Sequence, residues 1–596
     1  MCGIAGIIDG PGRDWASEVL AMTRGLCHRG PDAEGCYSDP VRGVFLGHRR
    51  LSIIDLTAEA NQPMFSADQR LAVVYNGEIY NFVELRKELE NRGCVFHTRS
   101  DTEVILHGYA SWGESCFTRF RGMFAIGLYD FERDQLLLVR DPLGIKPLYY
   151  TEHKGGCAFA SEARVLWSHA PGGNVLRLNH DKVQDLLAWS YLPDSEETIV
   201  EGIKKVPPAT IMTWRAGMFS KQRYWNLSVD KTWENESLED ACSRFGSLFD
   251  DTIRMMLRSD VPLGFLLSGG LDSSLVVAAA SKLRGAQLKT FTAIFGHELD
   301  EGPFARKVAD YCGTDHTEFR IEVGDAVESL IQILPHFDDL GTLDGGLFST
   351  ALISREIVKR GIKVAFVGEG ADEIFGGYSW FGLSQLPFRF LPMQIRALGY
   401  YYANARLFRP KYWKHTRRIV ENFLASGESD IFRQVTAQEI YGQLPNHLLQ
   451  KVDRATMSAS LEARVPFMDH KVVEAVYSLP MKLKRIGSAF NFFGVQEKLI
   501  LRKLAETCLP SDIAWRKKRG FLLPIADMIL LNKEFVRDAL MASDSAARDY
   551  FSVREMEKML QFRKVMYQPL EKEKEVLVWR LLLFSLWHRH CLAVRE

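Results

Sequence analysis

The stretch 261–280, VPLGFLLSGGLDSSLVVAAA, constrains the fold more than any other part of the chain. It begins with a short apolar run, continues through glycines and polar residues from Ser268 to Ser274, and ends in a run rich in Ala, Leu and Val. This order predicts a buried strand that passes through a tight turn into a helix. In α/β proteins, such turns lie at the carboxyl ends of the strands, where ligands bind.

The turn has the composition of an anion site. Gly269 and Gly270 let the backbone approach a ligand closely, and the start of the following helix offers free N–H groups to a phosphate. The hydroxyl donors are Ser268, Ser273 and Ser274. Asp272 fits only if a divalent cation bridges it to the phosphates. The alternative is an ordinary strand–helix turn, while a Walker loop and a dinucleotide turn fail on spacing.

The turn resembles the pyrophosphate loop, S-G-G-x-D-S, of the N-type ATP pyrophosphatases. This resemblance implies that ATP is split into AMP and pyrophosphate, with the AMP placed on a carboxylate or a similar oxygen. It implies ATP and Mg²⁺ as cofactors.

Length and composition predict a globular protein with more than one domain. The chain has 596 residues, of which 46% are hydrophobic and 25% charged. Its net charge of −1 gives no support for a nucleic-acid or membrane-surface partner. We expect a cytoplasmic protein without a zinc site, because no apolar run is long enough to span a bilayer, the N-terminus lacks a signal peptide pattern and the ten cysteines are scattered.

Cys2 becomes the N-terminal residue if Met1 is removed. Its α-amine, with an ordinary pKa of about 8, can then act as the base for its own thiol. The alternative is a small buried cysteine at the start of a strand, because residues 3–8 have a strand-like pattern.

Other polar residues stand beside apolar runs in the first hundred residues. Asn76 and Gly77 offer a side-chain amide and a backbone N–H, the two donors of an oxyanion hole, although Asn-Gly is also a common hairpin turn. Arg50 begins an apolar run, and Asp101 precedes a helical run, where it could act as an N-cap.

These segments resemble the class II, or N-terminal-nucleophile, glutamine amidotransferases. The matching motifs are MCGI at the start, CHRGPD at 27–32, RLSI at 50–53, NGE at 76–78, SD at 100–101, RGMFA at 121–125 and RDPLGIKPLY at 140–149.

The resemblance implies an αββα sandwich in which Cys2 is the nucleophile and Asn76 with Gly77 forms the oxyanion hole. Arg50 would hold the carboxylate of glutamine and Asp101 its ammonium group. The remaining glutamine-binding residues would be Leu51, Ser52 and Glu78. The implied reaction is thioester formation, release of ammonia and hydrolysis to glutamate.

The remainder of the chain predicts a second domain. The polar, acidic stretch 227–237 is the expected linker between an amidotransferase domain at 1–226 and a second domain at 238–596. Strands at 289–295 and 362–367 alternate with helices, which predicts a doubly wound parallel sheet, followed by a helical C-terminal part.

Segment 368–373, GEGADE, follows a predicted strand and should face the same crevice as the Ser268–Ser274 turn. Four carboxylates, those of Asp272, Glu369, Asp372 and Glu373, would then gather near a polyphosphate. This is reasonable if magnesium is bound, with Asp272 and Asp372 as its ligands. The alternative is an acidic loop that caps the next helix.

The second region resembles the asparagine synthetases, and the resemblance covers nearly the whole chain. It continues through FGGY at 375–378, the segment 451–469, KLILR at 498–502 and RKKRGF at 516–521. By matching position, Glu369 would act on the attacking ammonia, and Lys498, in a helix facing the cleft, would neutralise phosphate charge. Backbone groups would hold the adenosine at Leu266, Ala293, Val367 and Gly368. The resemblance also implies an internal ammonia channel and a possible homodimer.

Two departures from the family pattern leave the acceptor open. Val367 replaces a common serine, and the run from Asp339 to Gly346 lacks the Glu-Pro and Pro-Ser elements of D-E-P-x-A-D-P-S. L-aspartate is the default acceptor, which would give L-asparagine, AMP and pyrophosphate. The alternative is a uronic acid of a surface polysaccharide, or a carboxylate of a peptide or natural product. A non-catalytic regulator with the same fold is a more distant alternative.

Overall fold

The structure is a computed structural model. It describes residues 1–172, 176–194, 196–284, 287–294, 301–321, 326–337, 339–343, 345–384, 391, 395, 430–486, 496–517, 525–562 and 569–593. Asp344 and residues 518–521, which belong to motifs named above, lie outside this part of the chain.

Two antiparallel sheets of six strands each form the described N-terminal region, in the orders β10-β8-β9-β1-β3-β2 and β12-β11-β7-β6-β5-β4. The strands are Gly3–Ile8 (β1), Ala33–Asp39 (β2), Val44–Arg50 (β3), Met64–Phe65 (β4), Leu71–Ile79 (β5), Gly122–Asp130 (β6), Gln135–Arg140 (β7), Tyr149–His153 (β8), Gly156–Ala160 (β9), Ile203–Lys205 (β10), Thr210–Arg215 (β11) and Met218–Arg223 (β12).

Helices cover the outer face of each sheet. They are Ala16–Gly25 (α1), Phe82–Glu90 (α2), Thr102–Trp112 (α3), Ala163–His169 (α4) and His180–Trp189 (α5). Helices α1 and α4 pack on the first sheet and α3 on the second, while Ile4, Val74 and Phe159 are among the buried side chains of the layer between the sheets. The predicted αββα sandwich is therefore confirmed.

A five-stranded parallel sheet, in the order β15-β14-β13-β16-β17, organises the described part of the second region. Its strands are Leu263–Leu266 (β13), Lys289–Ile294 (β14), Asp315–Arg320 (β15), Val364–Phe366 (β16) and Glu462–Arg464 (β17), and a short hairpin is formed by Arg485–Ile486 (β18) and Gln496–Glu497 (β19). The predicted parallel sheet is confirmed. Strand β16 is shorter than the predicted strand at 362–367.

Helices surround this sheet and form the C-terminal part. They are Leu238–Met256 (α6), Leu271–Arg284 (α7), Gly302–Cys312 (α8), Ala326–Ile333 (α9), Gly346–Val358 (α10), Ala371–Phe375 (α11), Ile431–Gln438 (α12), Leu449–Met457 (α13), His470–Ser478 (α14), Met481–Lys484 (α15), Leu499–Glu506 (α16), Ser511–Ala514 (α17), Ile525–Leu531 (α18), Lys533–Met541 (α19), Val553–Met559 (α20) and Pro569–Ala593 (α21). A π-helical stretch, Glu439–Leu448, precedes α13. Of the helices described, none is long and apolar enough to cross a membrane.

The two regions share continuous hydrophobic contacts. Helix α5 of the first region packs on α21 of the second, in a cluster that includes Trp189 and Trp579. The stretch predicted as a linker is also docked, because Trp233 is buried and the Asp230 N–H donates to Ser478 Oγ at 2.8 Å. Residues far apart in the chain can therefore meet at one site.

Candidate active sites

Cys2 lies buried at the start of the first sheet, immediately before β1. Its backbone N–H donates to Oδ1 of Asn76 at 3.0 Å, and its carbonyl accepts from Nε of Arg29 at 3.2 Å. Burial raises the pKa of the Cys2 thiol, and the terminal amine and a hydrogen bond from the Leu51 backbone oppose that rise. Activation of this thiol thus requires a nearby base.

Asn76 and Gly77 lie side by side on β5. Nδ2 of Asn76 is buried and has no hydrogen-bond partner among the described residues. A Cβ on Gly77 would lie 2.1 Å from the carbonyl oxygen of Met123, so only glycine fits between β5 and β6. The Asn76 side chain accepts from the Cys2 N–H through Oδ1, so its N–H₂ group stays available beside Cys2.

The residues predicted to bind glutamine gather near Cys2, but several already have partners. The terminal nitrogens of Arg50 donate to Thr57 O at 2.7 Å, to Asn61 Oδ1 at 2.8 Å and to the Asp55 carbonyl. In this structure the guanidinium therefore holds the loop that follows β3. The Ser52 N–H donates to Asp32 Oδ2 at 2.7 Å.

Asp101 and Glu78 face the same strand end and are both buried. Oδ2 of Asp101 accepts from the Tyr75 hydroxyl and the Ile79 N–H, each at 2.9 Å. Burial raises the pKa of Asp101, although these two hydrogen bonds oppose it. Burial and the nearby charge of Glu462 raise the pKa of Glu78. An ammonium group bound here would favour both carboxylates in their charged form.

Charged residues of the second region complete this site, and the sequence analysis assigned them no role. The amine of Met1 lies 3.3 Å from Oε2 of Glu462, and Nη2 of Arg464 lies 3.5 Å from Oε2 of Glu78. Both Glu462 and Arg464 lie on β17 and are fully buried. The motif at 451–469 contained these residues, but charge alone does not reveal a partner hundreds of positions away.

The Ser268–Ser274 turn and segment 368–373 open into one cavity of about 550 Å³. The predicted ATP-binding residues that line it are Leu266, Ser268, Gly270, Asp272, Ser273, Ala293 and Gly368. The turn is held by a hydrogen bond from the Gly270 N–H to Ser268 Oγ at 3.2 Å. The prediction that both loops face one crevice is confirmed.

Lys498 bridges the two carboxylates that were predicted to bind magnesium. Its Nζ lies 2.6 Å from Oδ2 of Asp272 and 2.6 Å from Oδ1 of Asp372. Burial alone would lower the pKa of the Lys498 amine, but the charges of the two carboxylates together outweigh burial and raise that pKa. Lys498 is the residue before α16, with φ of 56°, and not inside a helix as expected. A positive charge occupies the position between the two carboxylates.

Glu369 also lines the cavity, with Lys451 of α13 nearby. Burial raises the pKa of Glu369, while the charge of Lys451 opposes that rise. A carboxyl group with a raised pKa on a cavity wall is suited to accept a proton.

Four predicted positions do not line the cavity. Gly269, with φ of 68°, packs against α8, where an added Cβ would lie 2.4 Å from the Ala305 nitrogen. Ser274 is buried inside α7, and the Val367 N–H is bonded to the Arg464 carbonyl. Glu373 turns inward and accepts the Tyr378 hydroxyl at 2.5 Å. The expected group of four carboxylates is therefore a group of three.

Comparisons with known proteins agree with this arrangement. An asparagine synthase family model matches residues 244–589, and a glutamine amidotransferase domain model matches residues 1–225. Asparagine synthetase [glutamine-hydrolyzing] 3 of Bacillus subtilis is 33% identical over 552 residues, which is 87% of each chain.

Two further relatives extend over most of the chain. Asparagine synthetase [glutamine-hydrolyzing] 1 of Bacillus subtilis is 30% identical over 640 residues, covering 99% of this chain and 96% of that one. Asparagine synthetase B [glutamine-hydrolyzing] of Escherichia coli is 31% identical over 540 residues, covering 87% and 82%. The chain therefore belongs to the asparagine synthase family of glutamine-hydrolysing ligases.

Proposed function

We propose that the chain is a glutamine- and ATP-dependent amide synthetase. It releases ammonia from glutamine at Cys2, adenylates an acceptor carboxylate with loss of pyrophosphate, and joins the ammonia to the activated acyl group. The observation that carries this proposal is the shared cavity of the Ser268–Ser274 turn, the Asp272–Lys498–Asp372 cluster and Glu369.

Cys2 is the proposed nucleophile of the glutaminase reaction. Removal of Met1 would free its α-amine, and the contact between this nitrogen and Asn76 Oδ1 supports its role as the base for the thiol. The unpaired Nδ2 of Asn76 and the N–H of Gly77 are the proposed oxyanion donors. Glutamine would be bound by Arg50, Leu51, Ser52, Glu78 and Asp101. The Arg50 guanidinium would then donate to the carboxylate of glutamine in place of the loop carbonyls.

Adenylation is proposed at the carboxyl ends of β13, β14 and β16. Backbone groups of Leu266, Ala293 and Gly368 would hold the adenosine, and the turn would hold the phosphates. Asp272 and Asp372 fit Mg²⁺, which commonly uses one or two carboxylates together with substrate phosphates. The described residues contain no group of three candidate ligands for a metal. Bound there, Mg²⁺ would supply positive charge to the pyrophosphate leaving group.

Glu369 is the proposed proton acceptor of the amide-forming step. Its raised pKa and its place on the cavity wall support this role. Lys498 would turn from the two carboxylates toward the phosphates once a cation or ATP is bound. The ammonia channel and the homodimer remain predictions from the family resemblance.

L-aspartate is the default acceptor, because the relatives are named asparagine synthetases. The test is product analysis of the full-length chain with glutamine, ATP, Mg²⁺ and an acceptor. Glutamate, AMP and pyrophosphate should form in equal amounts. ADP and phosphate in place of AMP and pyrophosphate would contradict the proposed function, whichever acceptor is used.

A further inference from the structure

The Ser268–Ser274 turn contains a peptide between two glycines, and its orientation decides which group can face a bound phosphate. The Gly269 carbonyl and the Gly270 N–H belong to one trans peptide and point in opposite directions. The N–H can donate to a phosphate, whereas a carbonyl oxygen in its place would repel the anion. Because neither residue has a Cβ, this peptide rotates more readily than others. Phosphate binding therefore requires a contact that holds the Gly269 carbonyl in place.

Arg516 makes this contact. Its Nη1 donates to the carbonyl oxygen of Gly269 at 3.0 Å. At the other end of the same peptide, the Gly270 N–H donates to Oγ of Ser268 at 3.2 Å, and both of these residues line the cavity. The peptide is thus fixed with its oxygen on the Arg516 guanidinium and its N–H toward Ser268, a residue of the cavity wall.

The start of α8 holds the guanidinium itself. Nη1 of Arg516 lies 3.3 Å from Oε1 of Glu301, the residue before α8, and each of these side chains is 9% exposed. Cζ of Arg516 lies 3.7 Å from the centre of the Phe304 ring. Gly269 packs against the same turn of this helix, where an added Cβ would lie 2.6 Å from Cβ of Phe304. Helix α8 therefore supports both the glycine and the arginine that fixes its carbonyl.

The backbone of Arg516 is held by a second arginine, Arg502 of α16. Nη1 of Arg502 donates to the carbonyls of Ala514 and Arg516 at 2.9 and 3.0 Å. Its Nε donates to the carbonyl of Glu497 at 2.7 Å, and Glu497 directly precedes Lys498. One side chain thus ties the arginine on the turn to the lysine between the two proposed magnesium ligands.

We infer that Arg516 is a positioning residue of the adenylation site, which locks the Gly269–Gly270 peptide so that the turn presents N–H groups to the pyrophosphate portion of ATP. This inference rests on the proposed function. Without the guanidinium the peptide can rotate, and a carbonyl oxygen then takes the place of a phosphate-binding N–H. Binding of the adenosine portion, which is proposed at other backbone groups, does not depend on this lock.

Calorimetric titration of the full-length chain with magnesium pyrophosphate and, separately, with adenosine tests the inference. Arg516→Met should raise the Kd for pyrophosphate about tenfold, the order of one charge-assisted hydrogen bond, and leave the Kd for adenosine unchanged. Arg516→Lys keeps a cationic donor beside the turn and should restore part of the affinity. Unchanged pyrophosphate affinity in Arg516→Met, or an equal loss of adenosine affinity, would overturn the inference.

Lys517→Met is the matched control for the loss of a positive charge. Lys517 is the next residue and also lines the cavity, but no hydrogen bond among the described residues joins it to the turn. Its pyrophosphate affinity should stay within about twofold of that of the unmodified chain. A loss equal to that of Arg516→Met would assign the effect to net charge and overturn the inference.

A double variant, Glu301→Gln with Arg516→Met, separates the lock from the ion pair. It removes both charges together, so that neither remains buried without the other. Thermal unfolding and glutamate release from glutamine check that it is folded. It should show the same selective loss of pyrophosphate affinity as Arg516→Met, and normal affinity would overturn the inference. Formation of AMP and pyrophosphate by the unmodified chain would still support the proposed function in that case.

Discussion

Nη2 of Arg29 donates to both carboxylate oxygens of Asp453, at 3.1 and 2.9 Å, in the buried contact between the two regions. The same guanidinium donates to the carbonyl of Cys2. Asp453 lies on α13, and Lys451 of this helix lines the cavity at the Ser268–Ser274 turn. One ion pair therefore connects the proposed nucleophile with the proposed ATP site. Burial makes the pair sensitive, since removing one partner leaves the other buried charge with one ion-pair partner fewer: Arg29 would keep Glu162, and Asp453 would keep Lys146.

We predict that Asp453→Asn destabilises the protein by about 3 kcal/mol, because the buried Arg29 keeps Glu162, at 3.2 Å, as its one described carboxylate partner and the buried Lys146 loses Asp453, at 3.6 Å. The glutaminase rate should fall with it, since Arg29 also positions Cys2. Denaturant unfolding and glutamate release would measure both effects. Asp469→Asn is the control: Arg121 and Asp469 also join the two regions, at 2.9 Å, but neither is bonded to Cys2. Equal loss of glutaminase rate in both variants would contradict a specific role for Asp453.

Cys2→Ala should abolish the use of glutamine while free ammonium still supports amide formation. The thiol is the proposed nucleophile, whereas none of the residues proposed for glutamine hydrolysis lines the cavity at the Ser268–Ser274 turn. Amide product is measured with glutamine and, separately, with ammonium chloride. If ammonium fails as well, the two sites do not act as proposed.

Asp272→Asn should reduce pyrophosphate release about 100-fold and leave glutamate formation from glutamine intact, because loss of one carboxylate weakens the proposed magnesium site. Glu373→Gln is the matched control, since its carboxylate bonds to Tyr378 and faces away from the cavity. Retained pyrophosphate release in Asp272→Asn would exclude this residue from the metal site. Chelation of Mg²⁺ should reproduce the Asp272→Asn result in the unmodified chain.

Stability should rise with pH above about 7 because of Lys484. Burial lowers its pKa to about 7, and Nζ donates to the Val476 carbonyl at 3.0 Å. Between pH 7 and the ordinary lysine pKa of about 10.4, the unfolded chain binds a proton that the folded chain has released. The free energy of unfolding therefore rises by about 1 kcal/mol per pH unit in that window.

The matching variant is Lys484→Met, which fills similar space without a charge. Its stability advantage over the unmodified chain should be largest at pH 6.5 and shrink toward pH 9.5. Thermal unfolding of both proteins across this range measures the difference. A difference that does not change with pH would show that Lys484 keeps its proton in the folded state.

Local patterns predicted the parts of this protein whose structure depends on neighbouring residues. The run 261–280 predicted a strand, a turn and a helix, and β13, the Ser268–Ser274 turn and α7 confirm it. Asn76 and Gly77 were proposed as oxyanion-hole donors because an amide and a glycine stand together in an apolar strand. The αββα sandwich was implied by the family resemblance. The alternation of strands with helices predicted the parallel sheet. That alternation, like the strand–turn–helix unit, depends on backbone preference and hydrophobic periodicity, which a sequence displays directly.

Tertiary structure decided the partners of the charged and aromatic side chains. Lys498 binds Asp272 across 226 positions, and Arg29 binds Asp453 across 424. Trp189, from the N-terminal region, lines the cavity of the second region, and Arg50 donates to loop carbonyls. The sequence pattern does not indicate which carboxylate pairs with a given lysine or arginine, because many carboxylates in the chain could do so. Which one does so depends on the backbones that the packed sheets and helices bring together, and on the cost of leaving any charge unpaired inside.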